Sequence, residues 1–311
     1  MPWPGGLGAL LAGGGEGCTG QLLCMAGASF KICAFNMQGF GEAKAGDAHV
    51  SLQILARCDI SAVQEVRDAK GDAVLTLLTE LNRYQALPAL YAQLGSRRLG
   101  RGTYKEQIVF IYRLETLPGG HLLLASMHPA QVGHPLPTGR YACPGTAPCF
   151  PPGGLTPAAA LGNQVPSLTA SPLPAIKDFV LLSHHASPRN AVHEIDRLYG
   201  LCRELTQRWG TQNVMVLGDL NAGGAYVPPS AWGSIRLRWE PSFHWLIGDT
   251  ANTTVRARTH CAYDRIVVQG DEMLGAVVPG SAKPYNFARS LGLSEEEVSA
   301  GEAPHCPGKE G

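Results

Sequence analysis

The chain has 311 residues, and its 25 Lys+Arg balance 25 Asp+Glu, for a formal net charge of zero. That length allows one large α/β domain or two smaller ones. Zero net charge excludes a protein that grips nucleic acid by bulk positive charge, although a local basic groove stays open. Hydrophobic residues make up 45% and the mean hydropathy is −0.02. With no run of about twenty uninterrupted apolar residues, no membrane span is expected.

Met1 to Gly17 is Gly-rich and carries no Lys or Arg. The short apolar stretch Gln21-Leu22-Leu23-Cys24-Met25-Ala26 follows. Ala26 and Ala28 fit a small-x-small signal-peptidase site, but the basic n-region is missing and the apolar core is short. Residues 1–29 are read as a leader, either a weak secretory signal or a disordered start.

From Phe30 onwards strands alternate with helices. Phe30 to Phe35 reads as a buried strand ending at Asn36, Val50 to Ala56 has helical spacing, and Ile60 to Val63 is a strand ending in Gln64-Glu65. Asp72 to Leu81 predicts an amphipathic helix and Gln107 to Tyr112 a strand. Later come a strand at Phe179–Leu182, a long helix from Ala191 to Trp209, and strands at Val214–Leu217 and Ile266–Val268. Such alternation predicts an α/β fold with central sheets covered by helices.

Residues 114–176 interrupt the pattern. They hold more than half of the prolines, only two charged residues (Glu115 and Arg140), and no sustained period. Pro135, Pro137, Pro151, Pro152, Pro172 and Pro174 would break helices and leave ladder bonds unmade. The stretch is read as a disordered insertion.

The nine cysteines show no spacing that suggests zinc. Cys33, Cys58 and Cys202 fall on apolar faces and are expected to be buried thiols. Trp232, Trp245 and Tyr199 are expected in the core. Asn252-Thr253-Thr254 is an N-glycosylation sequon, meaningful if the chain enters the secretory path. Glu295-Glu296-Glu297 is expected to begin a solvated helix.

Polar residues close or open most of these strands. Asn36, Glu65, His185, and Asp219 with Asn221 each follow one, and Asp264 precedes one. In α/β sheets, ligands sit where strand ends diverge. Singly, each has a bland reading: Gly-Asp-x-Asn is commonly a turn, and a Glu after a strand is commonly solvated. Together they carry one chemistry. Hard oxygen ligands (Glu65, Asp219, Asn221, Asp264) suit Mg²⁺ or Ca²⁺, and His185 with Glu106 suits proton transfer to a leaving oxygen. That combination equips a site for metal-assisted phosphodiester hydrolysis.

Five segments carry a family resemblance: Phe35-Asn36; Val63-Gln64-Glu65-Val66-Arg67-Asp68; Leu99-Gly100-Arg101-x-x-Tyr104-Lys105-Glu106; Gly218-Asp219-Leu220-Asn221-Ala222; and Cys261-Ala262-Tyr263-Asp264-Arg265-Ile266-Val267. The chain resembles the deoxyribonuclease I family, close to DNase gamma and its neighbours, within the endonuclease/exonuclease/phosphatase superfamily. The resemblance covers roughly residues 30–113 and 177–298. It implies a single catalytic domain over 30–298, a four-layer α/β sandwich with two packed central β-sheets. It further implies an endonuclease that cuts double-stranded DNA with Mg²⁺ and Ca²⁺ (or Mn²⁺) and leaves 5′-phosphate ends.

Carried over by position, Glu65 and Asn36, with Asp219, belong to the divalent-metal site. Glu106 orients His185, the acid on the 3′ oxygen. Asp219 and Asn221 bind phosphate and metal, and Asp264 orients a second histidine that activates water. Arg67, Tyr104 and Tyr226 contact DNA in the minor groove, a mode that needs no large net charge. Bland readings stand beside these: Arg67 paired with Asp68, Tyr104 and Tyr226 as half-buried aromatics, and His184 as a solvated bystander. A monomer that is secreted or lodged in the endoplasmic reticulum is expected, with nuclear action possible and actin binding undetermined.

Four departures set the chain apart from the family pattern. The family's last strand, with its Ser-Asp-His, is missing after Val298, and residues 299–311 form a non-family tail in which His305 is flanked by Pro304 and Cys306-Pro307. The family's Arg-Glu-Pro strand after Arg113 is replaced by the Pro-rich stretch. Gly223-Gly224 occupy the place of the disulfide partner of Cys261, and Gln38 stands where deoxyribonuclease I has an arginine. The alternative expectation is therefore a catalytically impaired or dead chain, lacking the second catalytic histidine, that at most binds DNA or protein weakly.

Overall fold

Two β-sheets lie face to face in the computed structural model of the chain, which describes residues 22–25, 30–45, 48–84, 90–98, 100, 104–114, 121–127, 139–142, 178–255 and 260–294. In chain order the elements are β1 (Leu22–Met25), β2 (Phe30–Phe40), α1 (Glu42–Ala45), α2 (His49–Leu55), β3 (Ile60–Val66), α3 (Asp72–Tyr84), β4 (Tyr91–Gly95) and β5 (Gln107–Arg113). The second half adds β6 (His121–Met127), β7 (Gly139–Ala142), β8 (Asp178–His184), α4 (Ala191–Trp209), β9 (Val214–Asp219), α5 (Arg236–Trp239), β10 (Phe243–Trp245), β11 (Asp264–Gln269), α6 (Asp271–Ala276) and α7 (Phe287–Leu291). One sheet runs β1-β2-β3-β5-β4 and the other β10-β11-β9-β8-β6-β7.

The layering follows from strand periodicity. Successive side chains of a strand face opposite ways, so a strand buried on both faces reads as a continuous apolar run. Ile32, Ala34, Ile60, Ala62, Ile108 and Phe110 of the first sheet meet Phe179, Leu181, Met215, Leu217, Ile266 and Val268 of the second in one central core. The alternate residues Val180, Leu182, Val214, Val216 and Val267 pack outward under α4. Val63, Val66, Val109 and Ile111 pack outward under α2 and α3. The result is the expected four-layer α/β/β/α sandwich.

α4 buries Ala191, Ile195, Leu198, Cys202 and Leu205 at helical spacing, and Gly210 ends it in the left-handed region at φ 68°. Asp68 fixes the start of α3 by accepting hydrogen bonds from the backbone N–H groups of Gly71 and Val74 at 2.9 and 2.8 Å. No helix among the described residues is long and apolar enough to cross a membrane.

Several expectations need correction. The stretch 114–176 contributes two strands. β6 pairs parallel with β8 from His121↔Asp178 to Met127↔His184, and β7 pairs antiparallel with β6. The run Leu122-Leu123-Leu124 lies between Pro118 and Pro129 and carries no proline of its own. Averaging over the surrounding composition hid it, and a sheet edge at β8 supplies its ladder. Likewise Leu22–Met25, read as part of a leader, pairs antiparallel with β2 as an edge strand.

Cys33 and Cys58 are not thiols: they form a disulfide across a separation of 25 residues, with Cα atoms 6.1 Å apart. β2 and the turn before β3 bring them together, a juxtaposition that spacing alone does not show. Cys202 is buried, as expected. His184 is fully buried rather than solvated, its Nε2 lying 3.3 Å from a carboxylate oxygen of Glu194 on α4. Glu295-Glu296-Glu297, His305 and the 299–311 tail lie outside the described residues.

Candidate active site

The polar strand ends collect at one edge of the sandwich. β2 and β3 run parallel in one sheet, as do β8 and β9 in the other, so their C-terminal ends share an edge within each sheet. β5 and β11 are antiparallel to these neighbours, so Glu106, just before β5, and Asp264, which opens β11, arrive at the same edge from the opposite direction. Asp264 is the direct cross-strand partner of Asp219.

Gln64 joins the two sheets. Completely buried, it accepts the backbone N–H of Asp219 at 2.9 Å and donates to the His184 carbonyl at 2.8 Å and to Ser183 Oγ at 3.2 Å. Gly218 has to be glycine: φ is +133°, and a Cβ there would overlap the Gln64 amide and crowd the His184 carbonyl. A side chain of β3 thus sets the height at which Asp219 and the His184-His185 segment stand relative to Glu65.

Backbone irregularity aims the functional groups. The described non-glycine residues with positive φ are Gln38 (51°), Glu65 (54°) and Asn221 (47°), all at this edge. The β2–β3 register shifts between Asn36 and Phe40, and the β3–β5 register between Val63 and Val66. A bulge re-aims a side chain that regular pleating would send elsewhere, and strained φ values gather at functional sites. Lys44 ties down the first bulge by donating to the carbonyls of Gln38 and Met37 at 2.7 and 3.3 Å. Burial pulls its ammonium below the ordinary lysine value, Glu65 opposes that pull, and Arg67 adds to it.

Asn36 Nδ2 donates to Glu65 Oε1 at 3.0 Å and to Asp219 Oδ2 at 3.2 Å, while its Oδ1 accepts the Gln38 N–H at 2.9 Å. In this orientation the amide bridges two carboxylates that would otherwise repel each other. Among the described residues, no three His, Cys, Asp or Glu side chains are grouped as a ready-made metal cage. The donor set nonetheless fits Mg²⁺, which keeps much of its water and takes one or two carboxylates beside substrate phosphate. Glu65 and Asp219, both held by Asn36, could supply those carboxylates.

His185 lies on the other side of Glu65, its Nε2 3.8 Å from Glu65 Oε1. Its Nδ1–H donates to Glu106 Oε1 at 3.1 Å, the only sense possible toward an ionised carboxylate. Burial alone would lower the imidazole pKa. The Glu106 hydrogen bond and the charges of Asp219, Glu106 and Glu65 outweigh it and raise the pKa to about 9. The chain of contacts continues outward. Tyr104 donates its hydroxyl to Glu106 Oε2 at 3.0 Å, and Arg67 Nη2 donates to that hydroxyl at 2.8 Å. The guanidinium also lies 4.3 Å from the Tyr104 ring centroid and 3.4 Å from Glu65 Oε2. Burial, then the nearby Glu106 and Glu65 charges, push the Tyr104 phenol up to about 12, so it remains an O–H donor at any working pH.

Asn36, Glu65, Asp219, His185, Glu106, Tyr104 and Arg67 are therefore joined in one network. Arg67 turns to Tyr104 and Glu65, whereas Asp68 is committed to α3. Asn221 stands beside Asp219, its N–H on Asp219 Oδ1 at 3.0 Å and its amide on the Ala186 carbonyl at 2.8 Å, so it braces the segment after His185. Tyr226 lies on the loop beyond Gly223-Gly224 and packs on Tyr263, with ring centroids 5.3 Å apart. Gly224 also faces Cys261: a Cβ on it would lie 3.3 Å from the sulfur.

Sequence reasoning missed Gln64, Lys44 and Arg265. Arg265 is 1% exposed and donates to the carbonyls of Ala262, Ile247 and Ala222 and to Asp249 Oδ1 at 2.7–2.9 Å. It thereby staples the loops on either side of the rim. The guanidinium lies 5.7 and 5.5 Å from the rings of Trp232 and Trp245, which pack against the core as expected. A polar side chain inside an apolar strand run, as at Gln64 and Arg265, was the available signal.

Comparison with known proteins agrees with this architecture. The endonuclease/exonuclease/phosphatase family profile matches residues 33–285. The chain is 43% identical to human deoxyribonuclease-1 over 277 residues, 88% of each chain. It is 36% identical to human deoxyribonuclease gamma over 275 residues, 87% of this chain and 82% of that one.

Proposed function

The chain belongs to the endonuclease/exonuclease/phosphatase family, and from that premise we propose that it is an endonuclease that hydrolyses the phosphodiester bonds of double-stranded DNA and leaves 5′-phosphate ends. One observation carries the reading: a histidine clamped by Glu106 faces two carboxylates bridged by Asn36, at the edge where the two sheets meet. An acid for a leaving oxygen thus stands next to hard oxygen donors.

Glu65 and Asp219 would hold Mg²⁺, with Ca²⁺ or Mn²⁺ as further candidates, and Asn36 keeps the two carboxylates together. When bound, such an ion offsets phosphate charge and lowers the pKa of water. The protein's own groups do the rest. His185 carries its proton on Nε2 toward the 3′ oxygen while Nδ1 stays on Glu106, and Glu106 stabilises the charged ring until the proton leaves. Asn221 completes the phosphate-facing rim beside Asp219, and Asp264, paired across from Asp219, is the residue that would orient a water-activating histidine. Arg67 and Tyr104 at the mouth, with Tyr226 beyond the Gly223-Gly224 turn, would meet the DNA backbone and minor groove.

We further propose that the chain acts as a monomer in the secretory path. The Cys33–Cys58 disulfide supports that route, since disulfides persist in oxidising compartments. A second reading, a nuclease of reduced rate, draws on the sequence beyond Val298. There Ser299 to Cys306 carries no Ser-Asp-His, the motif on which the family resemblance puts the water-activating histidine.

Incubation of the purified chain with supercoiled plasmid, single-stranded DNA and inositol phosphates tests the substrate class. The proposal expects plasmid nicking that requires divalent metal and no phosphate release from inositides. Cleavage of inositides in place of DNA would overturn it. Nicking that stays orders of magnitude below that of human deoxyribonuclease-1 would favour the second reading.

A further inference from the structure

We infer that Asn252 is an N-glycan acceptor of this chain, modified by transfer from a lipid-linked oligosaccharide pyrophosphate; the inference rests on the secretory route proposed above. In 311 residues, Asn252-Thr253-Thr254 is the one Asn-x-Ser/Thr sequence with a non-proline centre. It lies in the loop between β10 and β11, outside any helix or strand, with Asn252 exposed.

The loop presents the acceptor in a usable form. Asn252 Oδ1 accepts from the Thr254 N–H at 3.0 Å and from the Thr254 hydroxyl at 2.7 Å, so the hydroxyl that defines a sequon is already engaged with the acceptor amide. Nδ2 meets Nδ1 of the exposed His260 at 3.1 Å. A primary amide carries two N–H hydrogens and this contact uses one. The other can be replaced by sugar without breaking the turn or the histidine contact. In the transfer, a bond forms between Asn252 Nδ2 and the anomeric carbon. The bond from that carbon to the pyrophosphate oxygen breaks, the lipid pyrophosphate leaves with the electron pair, and the amide gives up one proton.

The middle residue is turned the other way. Thr253 Oγ1 donates to the Cys261 carbonyl at 3.1 Å and accepts the N–H groups of Tyr263 and Asp264 at 3.0 and 3.1 Å. The sequon is therefore anchored through its centre to the start of β11 while Asn252 faces solvent. Modification would add bulk beside the Asp264 end of the rim without disturbing a buried contact. Thr253 holds that strand start and is left intact in the test.

The full chain is expressed in cultured human cells in two forms, one with its own N-terminus and one preceded by an independent secretion leader. The leader-bearing form is expected to carry a single glycan that peptide N-glycosidase removes, leaving oxygen-18 at residue 252 when the digestion is run in labelled water. Asn252→Gln and Thr254→Ala are expected to migrate as the deglycosylated chain, and Thr254→Ser to keep the glycan. A secreted, leader-bearing chain whose mobility the glycosidase does not change overturns the inference, as does persistence of the glycan in Asn252→Gln. The form with its own N-terminus reports separately on the route: if it stays unmodified while the leader-bearing form is modified, the route fails and the acceptor stands.

Discussion

His185 Nδ1 and Glu106 Oε1, 79 positions apart in the chain, stand 3.1 Å apart at the junction of the two sheets. Glu106 lies just before β5 of one sheet and His185 just after β8 of the other, so sheet-on-sheet packing sets the pair. His185→Ala is expected to lower the nicking rate by about 10²–10⁴-fold, the usual contribution of a positioned proton donor. Glu106→Gln, which keeps the shape and loses the charge, is expected to cost less. Steady-state rates on plasmid DNA check both.

Tyr104→Phe removes the hydroxyl that donates to the second Glu106 oxygen. More of the carboxylate charge then falls on the imidazolium, so the alkaline limb of the rate profile is expected to move to higher pH. A limb that stays in place would show that Tyr104 serves only as a contact for DNA. The pH dependence of kcat for the variant and the parent separates the two.

Stability of the metal-free protein should carry the same signature. The folded-state pKa of His185, about 9, lies above the ordinary value of 6.5. The unfolded chain therefore releases this proton first as pH rises. The stabilisation, on the order of 3 kcal/mol at most, is fully present below pH 6.5 and is lost as pH climbs through 9. Urea titrations in chelator should show a decline over that window that His185→Gln flattens. Saturating Mg²⁺ should shrink it by offsetting the Glu65 and Asp219 charges.

Gln64 is completely buried behind the site, and both halves of the site depend on it. Gln64→Leu strands the Asp219 N–H and the His184 carbonyl in a dry junction, and each stranded group costs about 1–3 kcal/mol. A loss of at least about 2 kcal/mol by urea unfolding is expected, with a rate defect at temperatures where the variant remains folded. Gly218→Ala should behave alike, because its Cβ would overlap the same amide.

Much of the fold was legible. Runs such as Val214-Met215-Val216-Leu217 are apolar at every position because both sheet faces are covered, and α4 declared itself by spacing and by Gly210. The candidate site was legible as polar residues that close strands. Several features were not, three of them for distinct physical reasons. β6 is a short apolar run within a Pro- and Gly-rich stretch, and a composition average erases it. The Cys33–Cys58 bridge depends on where β2 and the turn before β3 stand in space, which spacing does not encode. Gln64 and His184 were hidden because a polar residue next to a candidate site residue looks like a bystander until burial is known.

The bridge makes a further prediction. Cys33→Ser, Cys58→Ser and the double variant should each lose about 3.5 kcal/mol, the chain-entropy value for a loop of 25 residues, and the double variant should be no worse than either single one. Reductant should lower the melting temperature of the parent chain and leave that of the double variant unchanged.

If His185, Glu106, Glu65 and Asp219 form one hydrolytic centre for DNA, the ends of nicked plasmid carry its signature. Purified chain with Mg²⁺ and Ca²⁺ should yield nicks that ligase reseals without prior phosphorylation, as 5′-phosphate and 3′-hydroxyl ends require. Chelator should abolish them, and His185→Ala should reduce them at least a hundredfold, roughly the lower bound for a proton donor. Nicks of undiminished rate in His185→Ala, or ends that ligase cannot reseal, would contradict that assignment.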